Sequence, residues 1–216
     1  VEGPLNKEKG STVLLNYRYS TAVIFSQLGI DIGTTAVPQY QDGSFRFHFP
    51  QKNGGALALW GLGGNSSIDI VISDQVAPER NIYGDNDRDQ YFRTGMGIAG
   101  ATYTLPINKK TYIKATLAAS RDRQFSNHNL VYRELEVPPA VAASAYRLDS
   151  ITPFMAYDFN KDRLALALHA NRKLNPIAGG HATLRFGLNA DLTRWTFLDS
   201  IRTLPTEPGD PLGNWG

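Results

Sequence analysis

Two stretches carry residue types whose spacing could do chemistry. Asp85, Asp87 and Asp89 repeat the D-x-D-x-D opening of a calcium loop, in which alternate carboxylates converge on one cation. Gln90 stands where that loop needs glycine and Met96 where its bidentate glutamate belongs, so a hydrated acidic loop tip is the expected role. Gly95-Met96-Gly97-Ile98-Ala99-Gly100 matches the dinucleotide fingerprint G-x-G-x-x-G, whose glycines let the backbone approach a pyrophosphate at a helix N-terminus. No helix opens here. Ala101 to Leu105 continues as strand, and Gly95, Gly97, Ala99 and Ala101 place small residues on one face.

The remaining chemistry-bearing residues are scattered. His48, His128, His169 and His181 lie in separate segments without metal-ligand spacing. There is no G-x-S-x-G elbow, no serine with a local His or Asp arrangement, and no cysteine to supply a thiolate or a disulfide. Catalysis, a metal centre and a bound cofactor are therefore not expected. The 22 Lys and Arg nearly balance 20 Asp and Glu, and a formal charge of +2 gives no electrostatic footprint for nucleic acid. No run approaches the ~18 consecutive apolar residues of a transmembrane helix.

The elements that hold these residues alternate with period two, which predicts strands. Along 181–191, Ala182, Leu184, Phe186, Leu188 and Ala190 oppose Thr183, Arg185, Gly187, Asn189 and Asp191. Leu164, Leu166 and Leu168 oppose Ala165, Ala167 and His169 within 164–173, and Phe45, Phe47 and Phe49 oppose Arg46 and His48 within 44–49. Segments 12–19 and 111–119 follow the same rule, while 55–72 and 91–105 are strand-like but rich in Gly and Ala. With a short strand at 1–5, eight strands are expected.

The connectors alternate short and long. Turns at 6–10, 50–54, 106–110 and 175–180 are built from Asn, Gly, Pro and Lys, as tight hairpins require. The segments 21–39, 73–90, 122–160 and 199 onward are long. In an antiparallel sheet every short turn then falls at one end and every long loop at the other, the pattern of a bacterial outer-membrane barrel. Tyr17, Tyr19, Tyr91, Phe92, Trp195 and Phe197 at the long-loop end, with Phe49, Tyr103 and Tyr112 at the other, are expected to form two interfacial girdles. A β-sandwich with aromatic core residues is the competing arrangement; strands longer than the ~9 to 11 residues that cross a bilayer speak against it.

Particular residues carry a resemblance. Val1-Glu2-Gly3-Pro4-Leu5-Asn6-Lys7-Glu8-Lys9-Gly10, with Asn16-Tyr17-Arg18-Tyr19-Ser20-Thr21 after it, resembles the start of the barrel in TonB-dependent outer-membrane receptors of the Bacteroidetes type. Leu28-Gly29-Ile30-Asp31-Ile32-Gly33, Val37-Pro38, Tyr40-Gln41-Asp42, Ile151-Thr152-Pro153-Phe154, Asn171-Arg172-Lys173-Leu174-Asn175 and His181-Ala182-Thr183-Leu184-Arg185-Phe186-Gly187 are similar to later strands and loops of that family. The resemblance implies an all-β, antiparallel transmembrane β-barrel of 22 strands around a plug. Residues 1–216 would be the N-terminal part of that barrel, seven to eight strands, with the plug and remaining strands outside this chain. It also places 149–160 in an outer loop.

The implied function is uptake of a scarce nutrient (siderophore, oligosaccharide or peptide) across the bacterial outer membrane, energised by the TonB complex through the plug. Outer-membrane lipid and a surface lipoprotein are the further partners. Arg18, Arg46, His48, Lys114, Arg185, Asn189 and Asp191 are expected to line the lumen. A closed eight-stranded barrel acting as an anchor or adhesin without transport is the alternative.

Overall fold

The computed structural model describes residues 1–20, 28, 38–75, 84–135, 146–175, 180, 182–203 and 213. Eight strands run in chain order: β1 (Glu2–Asn6), β2 (Ser11–Tyr19), β3 (Gln39–Pro50), β4 (Ala56–Ile70), β5 (Arg88–Asn108), β6 (Thr111–Leu135), β7 (Tyr146–Lys173) and β8 (Thr183–Ile201). Each pairs antiparallel with the next, giving one meandering sheet in the order β1 to β8. The sheet is not closed: β8 pairs only with β7 and β1 only with β2. No helix occurs among the described residues.

Turns sort as the connector chemistry requires. The β1–β2, β3–β4, β5–β6 and β7–β8 turns lie at one end, and residues 20–38, 71–87 and 136–145 join strands at the other. Gly10 and Gly54 hold φ of 67° and 76° in the first two short turns, where any Cβ would strain the backbone.

Register converts the alternation into rows that run across the sheet. One row reads Val13, Phe47, Leu59, Ala101, Leu117, Leu166, Ala190, and the next Leu15, Phe45, Gly61, Ala99, Ala119, Leu164, Leu192. Toward the short turns follow Phe49, Leu57, Tyr103, Ala115, Leu168, Leu188 and then Leu105, Ile113, Ala170, Phe186. Four consecutive rows on this face hold no charged residue. Arg172 lies in the row below them, and Arg121, Asp162 and Arg194 form the row above.

Two strands outrun the sequence reading. Residues 122–160 were expected as one long loop, and 149–160 as part of an outer loop by resemblance; instead 122–135 extend β6, and 146–160 open β7. Beyond Ala119 the leucine-bearing face turns to Arg121, Arg123, Asp158 and Asp162, so neither face is consistently apolar and hydropathy no longer alternates. Cross-strand ion pairs hold the extension: Arg121 donates to Asp162 at 2.6 and 3.0 Å, and Arg123 to Asp158 at 2.9 and 2.6 Å. Pro153, which cannot donate to a ladder, sits beside a register shift where Asn129 faces Pro153 and His128 faces Met155.

The densest burial lies at the long-loop end. Ile70, Ile72, Asp89, Gln90, Ser126, His128, Leu130, Val131 and Phe154 are all buried there. Asp89 spends its carboxylate on backbone: Oδ1 accepts the amides of Ile72 and Ser73 at 2.8 and 2.9 Å and pins the chain leaving β4. Asp87 pairs with Arg88 at 2.7 Å, and Asp85 meets Arg88 at 3.5 Å and accepts from Gln90. The three carboxylates thus serve separate structural partners instead of converging. His181, the expected start of β8, lies outside the described residues, as do most of 21–37.

Candidate functional site on the polar face

The face opposite the leucine rows carries the side chains able to meet a ligand. Register puts all seven expected lining residues on it. Arg18 lies in the row of Asp42, Gly64, Met96, Asp122, Lys161 and Trp195; Arg46 lies in the row of Trp60, Gly100, Ala118, Ala165 and Asp191. His48 shares its row with Asn189, Lys114 sits opposite Thr104 and His169, and Arg185 opposite Asn171. Sharing a face is not sharing a site, and the seven divide into three groups.

Arg46, His48 and Lys114 come together. They line a cavity of about 360 Å³ near the short turns, whose floor is made by Ala56, Ala58, Thr102, Thr104 and Thr116. Arg46 and His48 stand on β3 and Lys114 on β6, three strand spacings or about 14 Å apart in the sheet. Only a floor of short side chains lets long cations from both sides overlook one space. Trp60 closes it from above: its indole N–H donates to Thr102 Oγ1 at 3.0 Å, and Thr102 Oγ1 lies 3.1 Å from Thr116 Oγ1. Gly100 makes room for that indole, since a Cβ there would stand 2.8 Å from Trp60 Cζ2. The last glycine of the G-x-G-x-x-G match thus has a packing role.

Arg18 lies in a larger groove of about 1080 Å³ closer to the long loops. Its Nε donates to Asp42 at 2.7 Å, and its guanidinium lies 5.6 Å from the Tyr40 ring centre. The opposite wall is an aromatic ladder: Tyr157 stacks on Phe159 at 4.8 Å, Phe159 meets Phe197 edge-on at 5.2 Å, and Phe197 stacks on Trp195 at 5.7 Å. Lys161 Nζ sits 4.8 Å over the Trp195 ring. Asp122 adds a carboxylate between the walls. Broad exposed ring faces beside fixed charges suit a ligand with both flat apolar surface and polar groups.

Arg185, Asn189 and Asp191 remain apart on β8, the outer edge of the sheet. Asp191 is paired with Arg163 at 3.3 Å and contributes to neither cavity.

Sequence reasoning missed the aromatic ladder. Trp195, Phe197 and Phe92 were assigned to a lipid-side girdle, and Tyr112 to the other, yet register puts all four on the polar face; Tyr17, Tyr19, Tyr91, Phe49 and Tyr103 do lie on the leucine face. Parity could have found the ladder, because Asp191, Thr193, Trp195 and Phe197 are spaced by two. Asp122, Tyr157 and Phe159 were hidden by the expected loop.

No protein-family model, no curated protein and no solved structure matches this chain.

Proposed function

We propose that the sheet is a wall segment of a large outer-membrane β-barrel whose leucine face meets lipid and whose polar face lines a lumen through which a nutrient is taken up. The observation that carries this is the uncovered apolar band. Leu117, Leu164, Leu184, Phe186, Leu188 and Leu192 are between 49% and 73% exposed, far more contiguous apolar surface than a protein in water leaves open. Its height fits a bilayer. From Thr111, opposite Arg172, to Arg121, opposite Asp162, β6 advances ten residues, about 33 Å along the strand; a tilt of about 40° makes this about 25 Å.

Edge lengths support a large barrel over a sealed eight-stranded one. β8 offers a 19-residue edge, and β1 has five residues with which to satisfy it. In hydrocarbon an unpaired ladder costs several kcal/mol per group, so closure by β1 against β8 leaves most of that edge unmet. A partner strand beside β8 fits this reading, and the resemblance to TonB-dependent receptors supplies a 22-stranded barrel with a plug and TonB-coupled transport as the working scheme.

In that scheme the Arg18–Asp42 and Trp195–Phe197 groove, near the long loops, receives ligand first. Spin labels on cysteines at Leu166 and Leu188 should be more accessible to oxygen than to a nickel chelate, and labels at Ala165 and Asn189 the reverse. Equal accessibility at all four would reject the lipid-facing assignment. Nutrient accumulation should collapse when the proton gradient is dissipated; accumulation that persists would leave a barrel without energised transport.

A further inference from the structure

We infer that the Arg46–His48–Lys114 cavity is a binding site for a small multivalent oxyanion, of which pyrophosphate is the probe. The site is separate from the aromatic groove, and it depends on the proposed function only in that the polar face must be the one open to water.

This cavity brings two cations from different strands over a lining that holds no carboxylate. Arg18, Arg93, Arg121, Arg123 and Arg163 each hold a carboxylate at salt-bridge distance. Among the described residues Arg46 and Lys114 meet none, and no carboxylate lines their cavity. Both side chains are exposed, and two like charges overlooking one concave space each gain attraction from an anion held between them. The fold can place an aspartate two residues from an arginine's cross-strand partner, as it does with Arg123 and Asp158. Here it places alanine and threonine instead.

The floor adds directed donors. Thr102 Oγ1 accepts from the Trp60 indole and lies 3.1 Å from Thr116 Oγ1, where either hydroxyl can donate, and an arriving anion favours the arrangement in which Thr102 donates. Thr116 is then free to turn its O–H into the cavity. Guanidinium and ammonium on the two walls, with a hydroxyl on the floor, form an acceptor-seeking surface matched to phosphate or sulfate oxygens. About 360 Å³ accommodates one or two such groups and excludes a bulky ligand.

The test uses the native protein, purified in detergent from the cells that make it, titrated with pyrophosphate by calorimetry at low ionic strength. One equivalent should bind, and Arg46→Gln or Lys114→Gln should each weaken it by about tenfold or more, as loss of a charge-assisted hydrogen bond does. Arg185→Gln removes the same charge from the same face outside the cavity and should leave binding within about twofold; equal weakening would reduce the effect to bulk attraction and overturn the site. A footprint needs no variant. Acetylation of Lys114 should slow at least about fivefold with pyrophosphate present while Lys173 is unaffected, in line with shielding by a bound charge. No protection, or protection of Lys114 without pyrophosphate by a polypeptide segment packed over it, would also overturn the proposal. The spin-label result tests the membrane assignment separately, so the two can fail independently.

Discussion

Arg121 and Asp162 stand directly opposite each other on β6 and β7, joined by two hydrogen bonds of 2.6 and 3.0 Å, and their row is the first on the outward face above Ala119 and Leu164. The pair marks where apolar surface stops. A bidentate pair can stand in the polar interfacial zone, where water and headgroups share the solvation. Two rows nearer the short turns, in the middle of the band and under the proposed lipid contact, the same pair would cost far more than its Coulomb attraction returns.

This boundary predicts how single charges should be tolerated. Leu166 lies two rows inside the band, so Leu166→Arg, made in the whole native barrel, is expected to destabilise folding into lipid vesicles by about 2 to 4 kcal/mol. Ala165→Arg points to the other face, in the row of Asp191, and should cost less than about 1 kcal/mol, because water and a nearby carboxylate both receive it. Urea titrations of vesicle-embedded protein compare the two. A larger loss at Ala165 would invert the faces.

Sidedness follows from the parity of turns. Cysteine introduced at Asp87, exposed beside the start of β5, should react with a bulky maleimide on intact cells, whereas Asn53 and Lys109 in the short turns should not. Asn127, which sequence reasoning would have chosen as a second outer-loop probe, lies within β6 opposite Tyr91 and is unsuitable. Labelling of Asn53 from outside would reverse the orientation.

Much of this was legible wherever one face of a strand was apolar. Leu164, Leu166 and Leu168 against Ala165, Ala167 and His169 settled facing, and the short turns settled strand order. Legibility stopped where the leucine-bearing face turned polar. From Arg121 and Asp162 onward neither face of β6 or β7 is consistently apolar, so hydropathy there reads as loop, although cross-strand ion pairs and ladder hydrogen bonds continue. The site was half legible for a related reason. Alternation put seven polar residues on one face, but which of them meet depends on short side chains three strands apart, which local periodicity does not encode.

The cluster at the long-loop end carries a pH dependence. His128 is 5% exposed, with Nε2 2.8 Å from Ser126 Oγ and Nδ1 3.4 Å from the Gln90 amide nitrogen. Gln90 can only donate through that nitrogen, so the ring proton sits on Nε2. Burial, with Arg88 adding repulsion, lowers the ring's pKa below its ordinary 6.5. The folded state therefore favours neutral imidazole: its contribution is fully present above 6.5 and declines as pH falls from there toward the lowered folded value. Amide protection factors at Gln90 and Ser126, that is, the intrinsic exchange rate divided by the observed rate at each pH, should fall as pH drops below about 6.5, and His128→Gln should flatten the profile. A fall that survives in the variant would assign the titration elsewhere.

Asp89 is expected to govern the same end by a different route. Its Oδ1 accepts two backbone amides while 1% exposed, so Asp89→Ala leaves the buried Ile72 donor and the half-buried Ser73 donor unmet and should cost about 1 to 3 kcal/mol of local stability. Asp89→Asn retains a carbonyl that can accept both amides and should lose about half as much. Protease cleavage between Ile72 and Asp87 reports the difference. Equal cleavage of both variants would mean that charge, not the capping geometry, holds the segment.

The most decisive expectation concerns the open edges. β8 is exposed along almost its whole length and pairs only with β7, while β1 can cover five residues of any partner. Expressed as residues 1–216 and refolded into detergent or vesicles, the chain should therefore lack the cooperative, heat-resistant state of a sealed barrel. Its edges should pair between molecules, because each unpaired amide in lipid costs more than a poorly registered ladder. A barrel that closed through eight strands would need β1 to lengthen or β8 to fold away, and either change would break the present register of β1 with β2 or of β8 with β7. Heat-modifiable gel mobility and protease resistance distinguish the outcomes. Aggregates or mixed strand content support a wall segment of a larger barrel, and a compact, resistant monomer would establish the small-barrel alternative.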